Sequence, residues 1–301
     1  MWAAVTGKTM RYDAFSKCHP AVNFLFFVGA IGLTVVIQHP AFLLAGILTG
    51  GIYYLLLNGK KGWKTILSLL PMFIILTTIN PLFNTLGATP LFHLWGRPYT
   101  LEALAYGGAL ASMFVIMMLW FGCYNKVLTS DKFTSLFGGL IPSISLLLVM
   151  ILRMIPNFIR KTQGIIGARK SIGKGAGEAA TSKEKLSDGM TVLGALTGWA
   201  LEGSVVTGDS MRARGYGCAK RTSFMIYRMR AADWILVVIM TALLALTITA
   251  LCLGQSAATF VPGIEIVPPS WGLAAYTCYL LIPTALHIKE AIQWHISRSK
   301  I

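Results

Sequence analysis

Residues 136–152 read LFGGLIPSISLLLVMIL, and the topology of the whole chain turns on whether they cross a membrane. The run is apolar enough to be a span. It is also interrupted by Gly138-Gly139 and Pro142, which suit a bent helix. Were it to cross, the segment from Arg153 to Arg230 would change sides and take 14 basic residues with it. Cytoplasmic loops of membrane proteins collect Lys and Arg. The charge therefore predicts that 136–152 lies bent at the interface without crossing; a plain seventh span is the competing reading.

The rest of the chain supplies the setting. Of 301 residues, 55% are hydrophobic and 12% are charged. A soluble fold would leave much of that apolar surface in water. Six runs, about 21–37, 41–58, 65–82, 102–123, 233–254 and 271–288, approach the roughly 20 apolar residues a spanning helix needs. Gln38-His39-Pro40 joins the first two as a tight turn. Lys60, Lys61 and Lys64 follow the second run, and Lys126 and Lys132 follow the fourth. The loop 255–270 carries no Lys or Arg.

With the N-terminus in the cytoplasm, 25 of the 26 Lys and Arg fall inside and only Arg97 falls outside. The opposite orientation reverses those numbers. The expectation is an all-α polytopic membrane protein of the cell membrane, with about six crossing helices and a cytoplasmic domain of crossing helices. Residues 1–125 form a four-span membrane domain, 126–230 a cytoplasmic or interfacial block, and 231–301 a two-span segment. Both termini are cytoplasmic. No cleavable leader is expected, because the first apolar run lacks a small-residue cleavage site.

Several function classes fall away. The net charge of +15 would suggest nucleic acid in a soluble chain, but the inside bias accounts for it here. Cys18, Cys123, Cys218, Cys252 and Cys278 are scattered, with neither a disulfide framework nor a metal-site spacing. Gly167-Ala-Arg-Lys-Ser-Ile-Gly-Lys-Gly175 imitates a P-loop. It has one residue too many between its glycines and glycine where the hydroxyl belongs, so no nucleotide cofactor is expected on this chain. No Asp or Glu lies near the centre of a span, which argues against an independent ion-coupled carrier. No catalytic constellation supports an enzyme.

The block 126–230 holds 16 Lys and Arg against 6 Asp and Glu. Leu186, Met190, Leu193, Thr197, Ala200 and Ser204 recur at helical steps, and Thr181-Ser-Lys-Glu184 reads as a capping box before them. The predicted helix, about 183–213, also carries Gly189, Gly194, Gly198, Gly203 and Gly208. Interior glycines cost about 1 kcal/mol each relative to alanine. Close crossing of another helix, the one ending near Arg169, is the expected reason. Asp209-Ser-Met-Arg-Ala-Arg-Gly-Tyr-Gly217 then reads as a basic helix end stopped by glycine. Its arginines are also suited to acidic groups of a partner. Asn80-Pro81 reads as the stop of the third span.

Taken in order, these segments resemble the transmembrane T component of energy-coupling factor transporters. The resemblance rests on Asn80-Pro-Leu-Phe-Asn-Thr-Leu-Gly87 with Leu91-Phe92, Thr129-Ser-Asp-Lys132, Leu140-Ile-Pro142, Leu152-Arg-Met-Ile-Pro156, Glu202, Thr207 to Gly217, Arg221-Thr-Ser-Phe224 and Asp233. It covers most of the chain. It implies a non-catalytic scaffold that joins two ABC-type ATPase subunits to one membrane-embedded S component. ATP and Mg are bound by the ATPases, and the S component is reoriented to release a vitamin or metal ion. Two Ala-Arg-Gly motifs at the ends of coupling helices are held to dock on the ATPases. Here the second is Ala213-Arg214-Gly215, with Arg212 beside it. The first is Ala168-Arg169-Lys170, in which lysine replaces glycine, so that either its cap differs or the helix runs on toward Gly173. Leu146 and Val149, in the apolar run, are the candidate S-component contacts. The competing function is an autonomous channel or carrier whose basic block binds membrane lipid.

Overall fold

The structure is a computed structural model and describes residues 14–84, 87, 89–94, 97–129, 132–133, 135–136, 142–174, 181–218, 227–260, 263–268 and 270–298. The motif residues 85–86, 130–131, 140–141 and 221–224, and Gly138, Gly139, Gly175 and Gly177, lie outside these.

The described chain is built of α1 (Pro20–Val36), α2 (Pro40–Asn58), α3 (Lys60–Phe83), α4 (Leu101–Val127), α5 (Pro142–Ser171), α6 (Ser182–Ala213), α7 (Ala231–Cys252) and α8 (Trp271–Arg298). Five helices, α2, α3, α4, α7 and α8, are long and apolar enough to cross a membrane, and α1 is a shorter apolar helix of 17 residues. The protein is an all-α polytopic membrane protein. Two small antiparallel hairpins lie between helices: β1 (Pro90–Leu94) with β2 (Arg97–Thr100), and β3 (Ala258–Thr259) with β4 (Glu265–Ile266). The chain packs as two compact units, one of Met1–Phe133 with Tyr227–Ile301, the other of Thr134–Ile226.

In the first unit, α1 and α2 begin in the same way. His19-Pro20 and His39-Pro40 place an imidazole at the N-cap and proline at the first helical position, where its missing N–H costs nothing. Each Nδ1 accepts a hydrogen bond from the alanine N–H two residues on, at 3.2 Å. His39 Nε2 lies 2.8 Å from the carbonyl of Val267 and donates to it, tying the α1–α2 turn to the segment after β4.

The core of this unit is aromatic. Phe26 stacks on Tyr279 and meets Phe15, Phe27 and Trp120 edge-on, with centroids 5.2–5.4 Å apart. Such rings bury large areas and hold defined angles to one another.

Asn80-Pro81 does not stop α3, which continues to Phe83. Pro81 has no N–H to offer the carbonyl of Thr77 one turn back. Gly107 of α4 packs at that carbonyl, where a Cβ would stand 2.8 Å from the oxygen. The proline and the glycine together mark a close approach of α3 and α4.

Buried polar side chains tie the helix ends of this unit. The Asp233 carboxylate accepts the N–H of Arg230 at 3.0 Å and that of His19 at 3.3 Å, joining the starts of α7 and α1. Lys132 donates to Ser16 and, at 3.0 Å, to the carbonyl of Val127 at the end of α4. Glu102 accepts from the hydroxyl of Thr89 at 2.7 Å, pinning the segment before β1 to the start of α4.

Of the apolar run 136–152, residues 137–141 lie outside the described residues. Pro142 is the first residue of α5 rather than a break inside it, and the helix runs on through Pro156 to Ser171. Proline tolerates that first position because the N–H there is unpaired in any case.

Candidate functional site

The second unit brings α5 and α6 together as an antiparallel pair. Phe158 meets Trp199 edge-on at 5.4 Å, Lys161 lies over the same indole at 5.6 Å, and Arg169 pairs with Asp188. Eleven residues forward on α5 match eleven back on α6, as antiparallel packing requires. Val192 and Leu196, one and two turns along α6 from Asp188, are the buried residues between these contacts.

Thr181 opens α6 as the capping-box reading expects. The Glu184 carboxylate accepts the N–H and the hydroxyl of Thr181, each at 2.9 Å. The backbone N–H first, and then the hydroxyl, hold the Glu184 carboxyl below its ordinary range.

The glycines of α6 do not do what their number suggests. Among the described residues, a Cβ built on Gly189, Gly194, Gly198, Gly203 or Gly208 would meet nothing within 4 Å. The α5–α6 contact is made by large side chains, and these glycines face open space. Leu186, Met190, Leu193 and Leu201 are likewise exposed along α6.

The two helices end in the same cap. In α6 the N–H of Gly215 reaches the carbonyl of Arg212 and the N–H of Tyr216 that of Met211, both at 3.0 Å. In α5 the N–H of Gly173 reaches the carbonyl of Lys170 and the N–H of Lys174 that of Arg169, both at 3.0 Å. Gly215 and Gly173 take φ of 75° and 71°, the left-handed conformation such a cap needs and that glycine adopts without strain. The helix of the first motif therefore runs past Lys170 and stops at Gly173.

That register separates the sequence-predicted site residues. Ala213 ends α6, Arg214 occupies the cap and Gly215 follows it. Arg212 and Arg214 are exposed, and neither side chain has a partner among the described residues. Ala168 and Lys170 are exposed within the last turns of α5. Arg169 is only partly exposed. Its Nε and Nη2 lie 2.7 and 2.5 Å from one carboxylate oxygen of Asp188, and Nη2 also donates to the carbonyl of Lys174 at 3.2 Å. In the first third of α5, Leu146 is half-buried and Val149 exposed. Asn80 and Pro81 belong to the first unit, where Asn80 lies close to Gly107 of α4 and Pro81 is buried.

Sequence reasoning missed Asp188 and Trp199 as partners of α5. The signal for both was present: Asp188, Val192, Leu196 and Trp199 follow helical spacing along one face. It was hidden by the more conspicuous apolar stripe through Leu186 and Leu193. Among the described residues no cluster of His, Cys, Asp or Glu is placed to hold a metal ion.

No protein-family model matches the chain, and no curated protein matches it.

Proposed function

We propose that this chain is the membrane scaffold of an energy-coupling factor importer, which transmits ATP-driven closure of two ATPase subunits to a membrane-embedded S component. The observation that carries the proposal is Arg214, an exposed guanidinium without a partner among the described residues, held at the cap of a 32-residue helix. Arginine is always charged and presents a planar fork of donors, so a rigid arginine tip suits an acidic groove. The surrounding segment, 126–230, carries a net charge of +10, which favours both a cytoplasmic position and acidic partners.

In this role the chain binds no nucleotide and performs no chemistry. Two long helices packed through Phe158–Trp199 and Arg169–Asp188 act as a lever. Movement imposed at a helix tip is passed along α5 and α6 to the S component, for which Leu146 and Val149 supply apolar contact. The membrane helices anchor the lever in the cell membrane, with both termini and 126–230 on the cytoplasmic side. The cargo, a vitamin or metal ion, is read by the S component.

The deciding experiment is affinity purification of the full chain from its native membrane, followed by identification of what is retained. Two ABC-type ATPases and a small membrane protein are expected. Arg214→Glu is expected to lose the ATPases while the chain remains in the membrane, since breaking a desolvated charge contact costs about 2–5 kcal/mol. Wild-type ATPase recovery by the Arg214→Glu chain would refute the docking role.

A further inference from the structure

Matching the two helix caps bond for bond changes which residues correspond. Gly173 takes the place of Gly215, so Ile172 takes the place of Arg214. Lys170 then corresponds to Arg212, and Arg169 to Met211, one turn behind the tip. In each cap the residue before the left-handed glycine is the last of the helix. On α6 that residue is an exposed arginine. On α5 it is an isoleucine with 68% of its surface exposed, between two exposed lysines, Lys170 and Lys174.

Arg169 is meanwhile engaged inside the chain. Its guanidinium spans Asp188 on α6 and the carbonyl of Lys174 at its own helix end. Turning it outward would break both contacts. The Asp188 contact ties the end of α5 to α6, while Ile172 stays exposed.

We propose that the partner-contacting tip of α5 is Lys170-Ser171-Ile172-Gly173-Lys174, with Ile172 as its anchor, and that Arg169 is a positioning residue. The partner surface is an apolar depression with an acidic rim, unlike the acidic groove that suits Arg214. Because α5 and α6 are antiparallel, the two tips lie at opposite ends of the pair, separated by about 40 Å of helix at 1.5 Å per residue. The two docking surfaces are therefore chemically distinct and far apart. This inference rests on the proposed scaffold function, whose ATPase pair supplies the two surfaces.

Affinity purification of the full complex from membranes tests it, with ATPase yield per chain and thermal unfolding of the chain as paired readouts. Ile172→Glu is expected to lower ATPase yield by about tenfold or more, as truncating an anchor residue does. Its unfolding temperature is expected to stay unchanged, because the side chain is exposed. Ile172→Leu is expected to keep wild-type yield. Arg169→Met is expected to lower the unfolding temperature, with the yield falling less than for Ile172→Glu. Wild-type yield with Ile172→Glu, alongside loss with Arg214→Glu, overturns this inference and leaves the scaffold function standing. Loss of ATPase in Arg169→Met with no change in unfolding temperature overturns it as well, by returning the contact to Arg169. Absence of any ATPase from the wild-type preparation, or full yield with Arg214→Glu, removes the scaffold function and the inference with it.

Discussion

Arg169 reaches one carboxylate oxygen of Asp188 through both Nε, at 2.7 Å, and Nη2, at 2.5 Å, and this pair joins the end of α5 to the beginning of α6. Both side chains retain about a fifth of their exposure, so water screens the pair only in part. It lies across the connection between two helices that otherwise meet through Phe158, Lys161 and Trp199. An ion pair at that position fixes the register of the hairpin.

A double-mutant cycle of Arg169→Met and Asp188→Asn should give a coupling energy of about 1 kcal/mol, after allowing for its partial exposure. The coupling should shrink as salt is raised. Thermal unfolding of the four variants in detergent measures it. Additive losses would show that the pair does not hold the hairpin.

Asp233 should matter more than its position at a helix start suggests. Asp233→Ala leaves the N–H groups of His19 and Arg230 without their part-buried acceptor, at a cost of about 1–2 kcal/mol. Asp233→Asn keeps one acceptor oxygen and should fall between. Denaturant unfolding of the purified chain separates the three. An Asp233→Ala chain as stable as wild type would dismiss the tie between α1 and α7.

Opposite outcomes are expected for two kinds of glycine. Gly215→Ala forces a side chain into the left-handed conformation and should destabilise the cap by about 1–2 kcal/mol. Gly194→Ala adds a Cβ that meets nothing within 4 Å among the described residues and should stabilise α6 by about 1 kcal/mol. Hydrogen exchange along α6 reads both changes. Destabilisation by Gly194→Ala would mean that its open face is closed in the working protein.

The capping box has a pH signature. Glu184 is a carboxylate whose folded pKa is lowered, chiefly by the N–H of Thr181 and then by its hydroxyl. Its stabilising effect is therefore complete above the unfolded value of 4.5 and is lost as pH falls through the lowered folded value. The stability difference between wild type and Glu184→Gln should be constant at neutral pH and vanish at acid pH. A difference that persists at acid pH would assign it to packing rather than charge.

Labelling an engineered cysteine at Lys183 in sealed vesicles tests the orientation that the basic residues favour. Reaction only from the cytoplasmic face is expected, and reaction only from outside would reverse it.

What the sequence determined by itself was the helical, membrane-spanning character of the chain. All six apolar runs from 21–37 to 271–288 lie on helices, because a stretch of that length without water must satisfy its own backbone. The Thr181–Glu184 cap was legible for a similar reason: it is made between residues three apart, within one turn. Composition also carried the basic excess of 126–230.

Tertiary structure decided what depended on distant neighbours or on competing local signals. Pro81 looks like a stop, but α3 runs through it, with Gly107 of α4 close against Asn80 and the Thr77 carbonyl. The five glycines of α6 suggest a close crossing, but Trp199 makes the contact with α5, and the buried Val192 and Leu196 lie toward it rather than with the glycines. Ala168-Arg169-Lys170 looks like the end of its helix because it resembles Ala213-Arg214-Gly215. Only the hydrogen bonds of the cap place the end at Gly173, and only Asp188, folded back from the next helix, draws Arg169 inward. Periodicity within one helix follows from backbone geometry and can be read locally. Which face meets which, and which charge is left outside, follows from contacts between segments that the linear order does not bring together.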